Sequence, residues 1–335
     1  MLTEFAFTPS IFDEDAHDDK EAWRDQLREL GHSMFPRVSA WPIVVSDLYD
    51  GSWNQIANQT IKAIKDPNIR RLCEGILQNM RKILVSRPAC GEWPEEEVLW
   101  GREAIQTTAI EPIERILCSI SAKETLLDEY NMIRSFNEIE DAGFWHGISS
   151  DAYPQMVISK QIELLRKLCL HSDWVAFINP HTSTNELDFG LELLSNALKR
   201  PDGFVPISFE FHMQEPQGCR TERERLEKLQ KVTNHVSRLI KKKLPPGGSV
   251  ILYFWPSILE RRLIAGNFRL DSLGEHKKSP RWGVSMNHVA RGADENADPT
   301  NWSLLRPEDL DFWFRRFVID DAAGKPTQII VSPDN

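Results

Sequence analysis

Between residues 155 and 255 the chain alternates a helical pattern with a short apolar run three times over, and this constrains the fold more than any other feature. The helical stretch "QMVISKQIELLRKLCLHS" runs into "DWVAFINPH", and "NELDFGLELLSNALKR" leads to "GFVPISFEFHM", which alternates like a half-buried strand. A long charged helix, "TERERLEKLQKVTNHVSRLIKKKL", is stopped by Pro245-Pro246-Gly247-Gly248 and followed by "SVILYFW". Helices that alternate with apolar strands predict an α/β sheet with helices packed on its faces. Two more strands are expected at "RRLIAGNF" and "RWGVSMNHV", a last helix at "RPEDLDFWFRRFVID", and a short strand or tail at "KPTQIIVSPDN".

The first half reads differently. "EDAHDDKEAWRDQLRELGHSMF" has acids in its first turn and Trp23, Leu27 and Leu30 at helical spacing. "WNQIANQTIKAIK" repeats Ile56, Ile61 and Ile64, "DPNIRRLCEGILQNMRKILV" opens with a helix start signal, and Pro94 stands at the head of "WPEEEVLWGREAIQ". Only "PIVVSDLY" looks like a strand. The expectation is a mostly helical domain over 1–150 and an α/β domain over 151–335: α/β in class, α+β when the halves are taken together.

The 335 residues carry a net charge of −10, which argues against a surface devoted to duplex nucleic acid while leaving room for a local basic patch. No apolar run reaches the eighteen residues a membrane helix needs, and the acidic first residues lack the pattern of a signal peptide, so a cytoplasmic protein without a membrane contact is expected. Cys73, Cys90, Cys118, Cys169 and Cys219 are scattered, with no CxxC pair, which fits reduced thiols rather than a disulfide frame or a zinc site. Eleven Trp are read as core fillers. No HExxH, GxGxxG, GxxxxGK[ST] or GxSxG motif occurs, so neither cofactor nor metal is expected.

One spacing stands out. Glu260-x-Arg262-x4-Asn267 is followed by Gly283-Val-Ser285-x-Asn287. This resembles the His-x-Lys-x4-Asp and Gly-Ser-x-Asn elements of phospholipase D-like proteins. It is similar to a bacterial branch of such domains found in phage-defence gene clusters, whose closing segment "ADPTNWSLLRPEDLDFWFRRF" also resembles. The likeness covers roughly residues 155–320. It implies a mixed sheet flanked by helices and a phosphodiesterase site built from two such motifs. In that site the His attacks phosphorus, the Lys steadies the phosphate oxygens and the Asp supports a His. Arg262 keeps the phosphate role, but Glu260 is repelled by an anionic diester and Asn267 brings no negative charge. A second motif is missing as well. "EHKKSPRW" has His276 and Lys278, but Gly283 stands where the acid belongs and Pro280 interrupts, so the stretch is read as a solvated basic loop. A complete site would need a homodimer.

Arg261, Arg262, Ser285, Asn287, His288 and Arg291, joined by Arg281, are therefore expected to converge on a phosphate or other anionic ligand; the alternative pairs these arginines with acids such as Asp271, Glu275, Asp294 and Glu295. Thr184 or Asn185 is read as a helix cap beside His181, His212 as structural, and the lysines 241–243 as solvated. The functional expectation is a non-catalytic component of a bacterial multi-protein system, in anti-phage defence, that binds a partner protein, nucleic acid or both. The competing reading is an active nuclease in which His288 or His212 takes over as nucleophile.

Overall fold

The computed structural model describes residues 1–34, 42–91, 96–126, 132–140, 144–145, 148–181, 184–198, 208–240, 249–258, 260–290, 299–319 and 327–331. They form two units, 2–149 and 150–335, the second also taking in Met1. Both units are α/β.

The first unit corrects the helical expectation. Its helices α1 (Lys20–Met34), α2 (Leu48–Ala63), α3 (Pro67–Met80), α4 (Glu97–Thr108) and α5 (Ile120–Leu126) are present. They accompany a five-stranded sheet made of β1 (Thr3–Phe7), β2 (Ile43–Asp47), β3 (Leu84–Ser86), β4 (Arg115–Cys118) and β5 (Ile133–Ser135). The order is β3-β2-β1-β4-β5 and every pairing is parallel. Strands of three to five residues, most of their side chains buried, leave little alternation to read, which is why only β2 was legible. Phe5, Phe7, Phe12, Trp23 and Trp53 fill the core.

Inside that core lies an ion pair. Arg87 donates from Nε and Nη2 to both carboxylate oxygens of Glu4, at 2.8 and 2.6 Å, and from Nη1 to the carbonyls of Thr107 and Glu111. Ser46 adds a hydroxyl to Glu4 Oε1 at 2.8 Å. The Arg87 and Glu4 side chains are 1 % and 0 % exposed. A buried charge of this kind persists only when partner and hydrogen bonds are supplied together.

The second unit follows the sequence closely. Helices α6 (Ile158–Leu170), α7 (Thr184–Leu198) and α8 (Glu222–Ile240) alternate with strands that here follow β6 (Asp151–Ala152), namely β7 (Trp174–Asn179), β8 (Ser208–Gln214) and β9 (Ser249–Trp255). Then come β10 (Arg262–Leu270), β11 (His276–Met286), β12 (Trp302–Leu304), helix α9 (Pro307–Phe314) with a π-helical turn Arg315–Ile319, and β13 (Thr327–Val331). The eight strands run β13-β9-β8-β7-β10-β11-β12-β6, with β7, β8 and β9 parallel and the other pairings antiparallel. β9, β10 and β11 share this sheet and β10 pairs with β11, while β8 and β7 stand between β9 and β10. On one face Trp174, Ala176, Ile178, Trp255 and Ile264 pack against Leu310, Phe314 and Phe317.

"EHKKSPRW" is not a loop: β11 begins at His276 and runs through it. The hairpin pairs Leu270 with His276 and shifts register between Ala265 and Gly266. A Cβ on Gly266 would lie 2.1 Å from the Ser279 carbonyl oxygen, so the bulge requires glycine there.

Candidate functional site

The signature residues lie where β10 starts, beside the carboxyl ends of β7, β8 and β9. In open α/β sheets that edge is where ligands bind. Arg262 is the register partner of Ile178 on one side and of Ser285 on the other, so Arg262 and Ser285 share a face. The Arg262 guanidinium lies 5.0 Å from the Trp313 ring centre and donates from Nη1 to the Arg261 carbonyl at 2.8 Å. Burial lowers its pKa, while the nearby charges of Glu260 and Asp309 work in the other direction.

Arg261 takes the opposite side, as successive residues of an extended chain do. It is 7 % exposed and donates from Nε to Asn179 Oδ1 at 2.9 Å and from Nη1 to the Asn287 carbonyl at 2.6 Å. Asn179 in turn donates to the His181 carbonyl at 3.0 Å. Arg261 therefore clamps the end of β7 to the end of β11. The two arginines do not converge.

Asn267 lies five residues beyond Arg262 along β10, about 16 Å away in an extended strand. There it accepts from Arg281 Nη1 at 3.1 Å. Arg281 is stacked 4.3 Å from the Trp282 ring centre, and burial, followed by the neighbouring charge of Arg269, brings its pKa down to about 10. Arg281 and Asn267 thus belong to the far end of the hairpin. His288 and Asn287 are exposed; the His288 carbonyl accepts the Trp302 indole N–H at 2.9 Å. Arg291, Asp294, Glu295 and the lysines 241–243 lie outside the described residues, as do the side chains of the residues proposed to cap α7. Asp271 pairs with Lys277 at 2.6 Å rather than with an arginine.

What remains at the signature is Glu260, Arg262 stacked on Trp313, and Ser285 in register with Arg262. Arg316 joins them, its guanidinium 5.6 Å from the same Trp313 ring. Glu260 Oε2, Arg262 Nε and Arg316 Nε are closed off from water, and none has a hydrogen-bond partner among the described residues. Trp313 and Arg316 were missed in the sequence, although "FWFRRF" carried both; the π-helical turn that presents Arg316 leaves no periodic signal.

A second polar cluster lies on the sheet face beneath the π-helical turn. Glu210 and His212 sit two apart on β8, and Glu210 Oε2 is 3.1 Å from His212 Nε2. Trp255 Nε1 donates to His212 Nδ1 at 3.0 Å, and Lys278 reaches Glu210 Oε1 from β11. Tyr253 stacks on the imidazole at 4.6 Å. Both acid and base are 0 % exposed. Burial lowers the His212 pKa against the pull of Glu210; burial pushes on Glu210 upward, but His212 and Lys278 outweigh it and its pKa is lowered. The sequence reading singled out His212 and passed over Glu210, though the alternation of "FEFHM" puts them on one face.

No group of three or more metal-binding side chains occurs among the described residues, and none of their helices is long and apolar enough to cross a membrane. The five cysteines are unpaired thiols. No family model matches the chain, and no curated protein does.

Proposed function

We propose that residues 151–335 are a phospholipase D-like domain with a degenerate signature, and that the chain is a non-catalytic component of a bacterial multi-protein system. The resemblance points to anti-phage defence and to work in the cytoplasm. The domain binds a partner protein, nucleic acid or both.

The observation that carries this reading is the unmatched pair at the signature, Glu260 Oε2 and Arg262 Nε. Enclosed polar atoms without partners are rare and costly in a native protein. Here an acceptor and a donor occupy the sequence positions that a phosphodiesterase gives to its nucleophile and its phosphate ligand. A carboxylate is repelled by an anionic diester and is a poor nucleophile toward it without a metal, so the place suits recognition rather than reaction. The nuclease reading is weakened at His212, which is fully buried and engaged at both ring nitrogens.

The test uses the full chain in two assays. Hydrolysis of bis-p-nitrophenyl phosphate and of labelled DNA should be absent. Fluorescence anisotropy with labelled single- and double-stranded DNA should show weak binding that falls with added salt. Turnover abolished by His288→Ala would overturn the proposal in favour of the nuclease. Equal DNA binding by wild type and Arg262→Ala would remove this site from any contact with nucleic acid.

A further inference from the structure

The sheet of the first unit has its own switch point. From β1 the chain moves outward through β2 and β3, then returns to place β4 and β5 on the other side. The crevice beyond the carboxyl ends of β1 and β4 is where an open α/β sheet receives a ligand. A cavity of about 410 Å³ lies there, within the size range of small-molecule sites. Its walls come from the three segments that follow β1, β4 and β5.

The chemistry of the lining is one-sided. Asp18 and Asp19 come from the segment after β1 and Glu124 from the segment after β4, with no lysine or arginine among the described residues of the wall. Asp19 caps α1, accepting from the Glu21 and Ala22 backbone amides at 3.0 Å. The lysines next to Asp19 and Glu124 in sequence are paired elsewhere: Lys20 with Glu14 and Asp15, Lys123 with Glu138. Phe136 and His17 give the cavity an aromatic side, their rings 5.7 Å apart. Burial lowers the His17 pKa, so the ring adds no positive charge at neutral pH.

An independent observation comes from Gln26. It is 7 % exposed and lines the cavity, yet its amide has no hydrogen-bond partner among the described residues. The amide is not among the atoms sealed from water, so on this cavity wall it is open to a polar group from outside the chain. Ser121, also on the wall, is held at 3.1 Å from Ser119, whose hydroxyl donates to Glu97 at 2.7 Å. That hydroxyl chain ties the cavity to the ends of β1 and β4, since Thr8 donates to the same Glu97 oxygen that Ser10 reaches, at 2.9 Å.

We propose that this cavity binds a small organic cation, an amine or guanidinium on a short apolar chain. Asp18 and Glu124 face the positive end, Phe136 offers its ring, and Gln26 hydrogen-bonds the ligand's polar group. The site is separate from the signature on the second unit and stands or falls without it.

Isothermal titration of the full chain with agmatine, and separately with a capped Gly-Arg-Gly peptide, tests the inference and distinguishes a free cation from a peptide side chain. Saturable one-to-one binding of either probe is expected, weakened about tenfold, some 1.4 kcal/mol, by Glu124→Gln and by Gln26→Leu. Glu124 is exposed, so its variant folds even where Gln26→Leu does not. No saturable binding of either probe at millimolar concentration would overturn the proposal. So would binding indifferent to Glu124→Gln, or a Mg²⁺ site that agmatine does not displace.

Discussion

Trp255 donates its indole N–H to Nδ1 of His212 across 3.0 Å, and this bond determines the state of the imidazole. An indole nitrogen only donates, so Nδ1 is an acceptor and the proton sits on Nε2, directed at Glu210. The ring is neutral, and neither nitrogen is open to a substrate. A side chain that looks like a general base in the sequence is a buried connector between β8 and β9.

Acid sensitivity follows from that neutrality. The folded pKa of His212 is below 6.5, so below pH 6.5 the unfolded chain takes up a proton that the folded chain refuses. Stability should fall as the pH drops from 6.5 toward the folded value, by up to about 1.4 kcal/mol per pH unit for one proton. Glu210, also depressed, adds a second loss below its ordinary 4.5. Urea denaturation followed by Trp fluorescence at pH 8, 6 and 5 measures the slope. His212→Gln keeps a donor toward Glu210 but cannot titrate, so it should flatten the slope between pH 6.5 and 5; an unchanged slope would assign it to other groups.

The Glu4–Arg87 pair makes a prediction about the first unit. Arg87→Met leaves a carboxylate in the core without its cation, at a cost of about 3–5 kcal/mol. Adding Glu4→Leu should recover a large part of that loss, because two apolar side chains no longer strand a charge. A double-mutant cycle by chemical denaturation measures the coupling. Additive losses would mean that the pair is not the unit that matters.

How much of this was legible in the sequence depends on strand length and on parity. β7, β8 and β9 were readable because each is an apolar run of six or seven residues with a helix before it. β3, β4 and β5, with three or four residues each, carry too little pattern to separate from helix ends. At the site, composition put Arg261 and Arg262 together, whereas the period of two in extended backbone sends them to opposite faces. Asn267 was placed with them by a motif spacing that ignores the length of a strand. Trp313, which stacks with Arg262, comes from α9, some fifty residues later, and only the tertiary fold brings it there.

Gly266 provides a test of the hairpin. Any side chain at this position meets the Ser279 carbonyl, and backbone cannot swing aside as a flexible side chain can. Gly266→Ala should destabilise the second unit by roughly 1–3 kcal/mol, the usual range for overpacking. It should also speed amide exchange in β10 and β11 more than in β8 and β9. Uniform exchange throughout the sheet would argue that the bulge is not the weak point.

The two adjacent arginines should part company when each is replaced alone. Arg261 is buried and holds Asn179 and the Asn287 carbonyl, so Arg261→Ala strips a charged donor from two acceptors and should cost roughly 2–4 kcal/mol in stability. Arg262 is half-buried, stacked on Trp313, with an unmatched Nε. Arg262→Ala loses the stacking contact, worth about 0.5–2 kcal/mol, and removes the charge that answers Glu260. Its larger effect should fall on binding, which isolates the proposed recognition role from the fold. Denaturation midpoints and salt-dependent DNA anisotropy, measured on both single variants, separate the two outcomes. A charge reversal at both positions together would not, since the Arg261 half of it attacks the clamp between β7 and β11. Should Arg262→Ala lose stability as heavily as Arg261→Ala while binding is unchanged, Arg262 is a structural residue and the ligand lies elsewhere.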